Sequence, residues 1–252
     1  MKRILFWGLL LGWLCIPLIA HAFELGIRGY YWLPELDGEV KVDAGGIPGT
    51  TVDFEDDLRM DDEEYPIVEA FVGLGDHHIS VSAMQVDYSG SETLPRDITF
   101  KGEIFTATTA VASSLKYDMI DAEYQYDIID LENILAGFSI GVIGKVKWVD
   151  GEVEIKSAVD TAKKTFTAPI PMVGAGVHVG LIADLLEARV KATGIGYSGN
   201  MLYDVMGDIS FTPFPFVDIH GGYRLIHFDV DVDDVELKYD MSGPYVAVTV
   251  GF

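Results

Sequence analysis

The sequence predicts an all-β protein, a single closed antiparallel transmembrane β-barrel of about ten strands, with eight or twelve as the alternatives. Three observations predict it. The chain is 49% apolar with a positive mean hydropathy although its formal charge is -23. Such composition argues against the disorder that high net charge would otherwise favour. Past residue 22 no uninterrupted apolar run is long enough for a membrane helix, yet segment after segment alternates apolar and polar residues with the period of a strand. The 27 glycines and 12% aromatics also suit short strands and tight turns.

The first 22 residues are read as a signal peptide. Lys2 and Arg3 precede an apolar run from Ile4 to Ile19, and Ala20-His21-Ala22 places small residues where a signal peptidase cuts. The barrel domain is then 23–252. The only cysteine, Cys15, lies in the removed segment, so the exported chain needs no disulfide and offers no thiol chemistry. From Phe23 onward 15 basic residues face 40 acidic ones, which excludes a phosphate-neutralising nucleic-acid binder.

Ten segments carry the alternation, at about 23–36, 65–75, 78–90, 114–128, 134–155, 165–182, 187–197, 201–212, 216–230 and 241–252. In the first, Leu25, Ile27 and Tyr31 oppose Glu24, Arg28 and Tyr30. In the second, Val68, Ala70 and Val72 oppose Glu69. In the fourth, Ile120, Ala122, Tyr124 and Tyr126 oppose Asp121, Glu123, Gln125 and Asp127. Val142, Val146 and Trp148 oppose Lys145 and Lys147 in the fifth; Val190 opposes Arg189 and Lys191 in the seventh. Val205, Ile209 and Phe211 oppose Asp204 and Asp208 in the eighth. Ile219, Tyr223 and Leu225 oppose Asp218, His220 and Arg224 in the ninth. The last puts Val246, Val248, Val250 and Phe252 on one face. A terminal aromatic such as Phe252 is the kind of signal that barrel assembly machinery reads.

Connections alternate in length, as they do in bacterial barrels. Those around Gly75-Asp76-His77, Asp130 to Asn133, Asp184 to Leu186 and Thr212 to Pro215 are tight and would be periplasmic. Those at 37–64, 91–113, 156–164 and 231–240 read as long outer loops, with a short one at 198–200; residues 98–112 form either a hairpin above the membrane or further strands. Two aromatic girdles are expected, with Phe23, Phe71, Tyr126, Phe211, Phe214, Phe216 and Phe252 at one rim and Tyr31, Trp32, Tyr88, Trp148, Tyr197 and Tyr203 at the other.

Several stretches resemble an uncharacterised family of Gram-negative outer-membrane β-barrel proteins. They are Phe54-Glu55-Asp56-Asp57-Leu58 with Met60-Asp61-Asp62-Glu63, the run Tyr88 to Phe100, and Ser242-Gly243-Pro244-Tyr245. Gly221-Gly222-Tyr223-Arg224 is similar to a motif of late strands in many small barrels. The resemblance implies one barrel in the outer membrane, and brings no substrate, catalytic residue or cofactor.

Strand parity gives the barrel a charged lumen. It directs Arg28, Lys145, Lys147, Arg189, Lys191 and Arg224 inward together with Glu24, Glu69, Asp121, Glu123, Asp127, Asp204, Asp208 and Asp218. In so narrow a bore these six cations and eight anions are expected to pair, leaving at most a thin wet path, because an unpartnered charge there costs several kcal/mol.

The function expected is non-enzymatic: a structural protein, or a narrow conduit or binder for small solutes. The alternatives are an enzyme acting on lipid or peptide at the outer rim, for which His227-Phe228-Asp229 is the candidate, and an adhesin or receptor using acidic loops. No cofactor is expected. Expected partners are outer-membrane lipids, lipopolysaccharide and the assembly machinery, with the chain a monomer and no nucleic acid bound. Divalent cations at the acidic loops are a weaker expectation, with Asp229, Asp231 and Asp233 as candidate ligands lacking EF-hand spacing. His77-His78 lacks the further ligands of a zinc site.

Overall fold

A computed structural model describes residues 23–131, 137–182, 185–232 and 234–252. The readings of the signal segment, of Glu132, Asn133, Ile134 and Asp184, and of Asp233 fall outside the described residues.

Among the described residues fourteen strands follow in order: β1 (Phe23–Trp32), β2 (Glu35–Val42), β3 (Val52–Asp53), β4 (Tyr65–Leu74), β5 (His77–Thr93), β6 (Ile98–Phe100), β7 (Glu103–Phe105), β8 (Ala110–Asp130), β9 (Phe138–Lys156), β10 (Thr161–Ile182), β11 (Leu186–Tyr197), β12 (Asn200–Phe214), β13 (Val217–Val232) and β14 (Val235–Gly251). Ten of them, β1, β4, β5 and β8 through β14, pair antiparallel in sequence, and β1 pairs with β14 to close the barrel. Closure leaves no edge within the wall at the height of β1. Below, the lower end is the one bearing Phe23 and Phe252.

Alternation becomes a two-sided wall. Ile27, Val68, Val81, Ile120, Val146, Val190, Ile209, Ile219 and Val248 are exposed on the outside, while Arg28, Asp121, Lys147, Asp204 and Arg224 are buried within. On β8 the exposed apolar stretch runs from Ile120 to Ile128. At ~3.3 Å per residue and a tilt of ~40° it spans roughly 20 Å, close to the apolar band of a membrane barrel. Above it the outer face turns polar: Asp118 lies opposite Asp150, Gln85 donates to Asp118 at 2.9 Å, and Lys116 bridges Asp87 at 2.8 Å. The sheet therefore continues upward past the band.

That continuation corrects two outer loops. Among the described residues, segment 156–164 is strand except at 157–160, and segment 231–240 is strand except at Asp234. Ser198 and Gly199 both have positive φ, 54° and 91°, the geometry that matches a two-residue turn to strand twist. The first segment, read as one strand to residue 36, breaks at Leu33-Pro34. β2 then resumes beside β14 in the register β1 used, since Trp32 faces Tyr245 and Glu35 faces Ser242. Residues 37–64 are not a solvated loop. They carry β2 and β3 and then fold inward, burying Val40, Val42, Val52, Phe54, Leu58 and Met60. The 98–112 region resolves into the small hairpin β6–β7, outside the barrel count, followed by the start of β8.

Three girdle assignments are also corrected. Trp32 and Tyr88 are 0% exposed and Phe71 lines the interior. Each shares the parity of an inward residue two positions away, Tyr30, Val86 and Glu69 respectively, and parity decides the side whatever the height. Phe23, Tyr31, Tyr126, Trp148, Tyr197, Phe211, Phe214, Phe216 and Phe252 remain outside and exposed, and Tyr203 lies outside with its ring stacked on His227.

Candidate functional site

The interior changes character along each strand, and β8 shows it most simply. Read upward, its inward residues are Asp127, Gln125, Glu123 and Asp121, then Met119, Tyr117 and Leu115. The change between Asp121 and Met119 divides the bore into a polar cup below, a charged layer at mid-height and an apolar chamber above.

The charged layer is assembled across the bore. Lys147 Nζ lies 2.8 Å from Asp121 Oδ2 and 3.1 Å from Asp204 Oδ2, and it also approaches Met119 Sδ at 3.1 Å. Asp121 is on the neighbouring strand, but Asp204 is on β12, reached past β10 and β11. Arg224 donates to the same Asp204 through Nε at 3.0 Å and a terminal nitrogen at 2.7 Å, and stacks over Trp32 at 5.3 Å. Lys145 lies 3.1 Å from Glu123 and 3.4 Å from Asp204. Asp204 thus receives three cations, an arrangement that holds carboxylate and cations buried together where neither would remain charged alone.

Below, Lys191 bridges Glu123 at 2.6 Å, Arg189 bridges Asp208 at 2.8 Å and Arg28 bridges Glu69 at 3.1 Å. Arg28 Nε also donates to Thr249 at 2.6 Å, Tyr245 donates its hydroxyl to Asp208 at 2.7 Å, and His220 sits between Asp208 at 3.2 Å and Thr249 at 2.8 Å. These residues roof a cavity of about 300 Å³ that opens at the lower end. Glu24, Asp127, Glu187 and Asp218 reach its mouth on β1, β8, β11 and β13. Asp127 meets His78 at 3.3 Å, Glu187 meets His178 at 3.1 Å, and Asp218 accepts from Thr212 at 2.6 Å.

Above the layer the bore is filled. Trp32, Met119, Leu202, Ile226, Phe228 and Met241 are buried, and Tyr117 and Tyr239 share a hydroxyl hydrogen bond of 2.8 Å. Phe54, Leu58, Leu94, Ile98, Phe100 and Phe105 close the top, brought there by the 54–64 segment and the hairpin. Ser113 donates to the carbonyls of Leu58 and Gly90, each at 3.4 Å. Any Cβ on Gly90 would collide with the Leu58 carbonyl, so glycine is what allows the segment to lie against β5. Arg96 clamps the segment through Asp57 at 2.5 Å. The resembling motifs at 54–63 and 88–100 are therefore the two surfaces of one joint.

No family model and no curated protein matches the chain. Solved structures similar to it are bacterial barrels. The attachment invasion locus protein Ail of Yersinia pestis, in complex with the heparin analogue sucrose octasulfate, is 12% identical over 92% of this chain and 99% of its own, with a TM-score of 0.42. Neisserial surface protein A is 11% identical over 91% and 97%, TM-score 0.36. The translocator domain of the autotransporter NalP from Neisseria meningitidis is 9% identical over 95% and 94%, TM-score 0.44. The barrel assignment rests on the closed strand ladder itself.

The remaining candidate residues lie elsewhere. Phe252 is exposed outside at the lower end, its backbone exchanging hydrogen bonds of 2.8 and 3.0 Å with Leu25. Asp229 and Asp231 are strand residues of β13 facing Lys238 and Glu236 on β14, not loop residues, and among the described residues no three His, Cys, Asp or Glu side chains gather for a metal. His227 has the parity of the outer face, with Asp240 at 2.6 Å, while Phe228 enters the core. The apolar chamber is the feature sequence reasoning missed. Its signal was present in Leu36, Val40 and Val42, which keep the strand period through the stretch taken for a loop.

Proposed function

We propose that this chain is a non-enzymatic outer-membrane barrel, sealed to diffusion, whose tight turns and lower cup face the periplasm and whose upper sheet stands outside the cell. The observation that carries the reading is the apolar chamber packed on the charged layer. Water crosses a barrel along polar walls, and here the wall above Asp121 and Asp204 is Met119, Tyr117, Ile226 and Met241, all buried. The buried side chains across that section favour a sealed barrel over a conduit. The exposed apolar band, flanked by outward aromatics, supports placement in a membrane, and the closed ladder meets the requirement that lipid sets on backbone groups.

The work of such a barrel lies at its two ends. The cup supports a reading as a binder of a small polar solute from the periplasmic side, since it is concave, about 300 Å³, and lined by separated charges. The pairing of the lumen charges, and Phe252 as an assembly signal, belong to the same reading as structural parts. An outer-rim enzyme finds less support, because His227 and Asp240 sit on the outer wall with a tyrosine ring over the imidazole.

Planar-bilayer recording of the purified, folded barrel tests the proposal. Silence across the voltage range is expected; steady conductance of single channels refutes the seal.

A further inference from the structure

The lower cup carries more acid than its own cations meet. Seven carboxylates line it against Arg28, Arg189 and Lys191, which pair with Glu69, Asp208 and Glu123. Glu24, Asp127, Glu187 and Asp218 remain, on strands two or three apart around the ring. His78, His178 and His220 each face a carboxylate, and protons on all three imidazoles would still leave one carboxylate in excess among the lining residues. Residues 132–136 and 183–184, outside the described ones, add no basic side chain. Among the described residues neither Glu24 nor Asp218 forms an ion pair; Asp218 accepts a hydrogen bond from Thr212 at 2.6 Å.

Two further features point to an organic cation. Gln125 Oε1 is buried in the cup wall with no hydrogen-bond donor, while its Nε2 donates to Asp127 at 2.6 Å. The unmatched atom is the oxygen, because the amide end that meets a carboxylate must be the nitrogen. An ammonium group, which only donates, suits that oxygen and the carboxylates alike. Arg189 Nε is also buried without a partner, but the charge of its guanidinium is met by Asp208 at 2.8 Å. The second feature is Phe71, an aromatic ring in a charged cup. Its tip lies where a Cβ on Gly26 would stand and reaches toward Gly251, and Arg28 already sits 5.4 Å from the ring centroid. Such a ring offers a hydrocarbon surface and a π face to a cation. No three ligating side chains gather for a metal among the described residues, so the carboxylates meet a solute at separate points.

We propose that the cup binds a linear polyamine, its ammonium groups at the mouth carboxylates and Gln125 and its methylene stem against Phe71. The inference rests on the reading of the cup as a binder of a small polar solute, and narrows it to one class. The cavity of about 300 Å³ has room for such a molecule, being the volume of on the order of ten waters. A compact divalent ion reaches one of the separated carboxylates at a time. A chain with ammonium groups several bonds apart reaches two or more, and the later contacts form within a molecule already held. A neutral solute would leave the excess acid unpaired, and an anion would be repelled by it. The methylene stem covers the ring, which a bare metal ion cannot do.

The test is isothermal titration calorimetry of the purified, folded barrel in detergent with spermidine, set against magnesium, glutarate and hexanediol. Saturable binding of spermidine is expected, about tenfold or more tighter than that of magnesium, with no binding of glutarate or the diol. Glu24→Gln with Asp218→Asn should weaken spermidine about tenfold or more, and Phe71→Leu about threefold, with circular dichroism and melting unchanged. Glu24 is exposed at the start of its strand, so Glu24→Gln by itself, with a severalfold loss, serves if the double variant does not fold. Binding of glutarate or the diol in place of spermidine would overturn this inference and leave the cup a binder. Binding of none of the four would remove both readings. Equal affinity for magnesium and spermidine, or spermidine binding untouched by the Glu24 and Asp218 substitutions, would also overturn the inference.

Discussion

Lys147, with none of its side chain exposed, is tied to Asp204 three strands away by a 3.1 Å contact across the interior of the barrel. The pair ties together two wall strands that are not neighbours, and the same Asp204 holds Lys145 and Arg224. Asp204 is thus the carboxylate on which the mid-section turns.

Replacing Asp204 by Asn should be among the most damaging single changes in the lumen. Three cations would lose a shared counter-charge, and breaking one partner from a buried pair costs about 3–5 kcal/mol. Thermal unfolding followed by loss of the heat-modifiable band should shift strongly downward. Lys147→Met should be milder, since Lys145 and Arg224 still compensate Asp204.

The joint at the top gives a separate prediction. Gly90→Val should expel the 54–64 segment from β5, because the new side chain occupies the place of the Leu58 carbonyl. Limited proteolysis of intact vesicles should then cleave within 55–64 while the barrel below stays resistant. Phe54→Ala, which leaves the backbone free to pack but empties a site 1% exposed, should cost about 3–5 kcal/mol without that cleavage.

The membrane boundary is placed by the outer face of β8 and β9. Cysteines at Asp118 and Asp150 should react with a water-soluble maleimide in vesicles of the correct orientation, and cysteines at Ile120 and Val146 should not. Labelling of both sets alike would remove the boundary.

A lysine on the lipid face supplies the complement. Val248→Lys places a charge among Ile27, Ile219 and Val250 on the exposed band, and at mid-depth should destabilise by about 2–4 kcal/mol. Thr249→Lys, one residue on and inward, meets Arg28 and His220 instead. Comparing folded yields of the two variants separates lipid exposure from lumen crowding.

The strand period alone determines that Lys147 and Asp204 point inward and that Val248 points out, because successive residues of a strand alternate sides whatever surrounds them. Ten segments and the direction of their charges follow from that rule. The rule extends to Trp32, Tyr88 and Phe71, whose inward position is set by parity and not by their nearness to a rim. Which charges meet is a different matter. That Lys147 reaches Asp204, and that Asp204 collects Arg224, depends on the number of strands, their stagger and the bore they enclose, none of which is local to any segment. The apolar chamber is likewise tertiary: Phe54 and Leu58 become core only because β2 takes up the register of β1 beside β14 and Gly90 admits their backbone. Local alternation chose a side for each residue, and only closure of the sheet decided what stood opposite it.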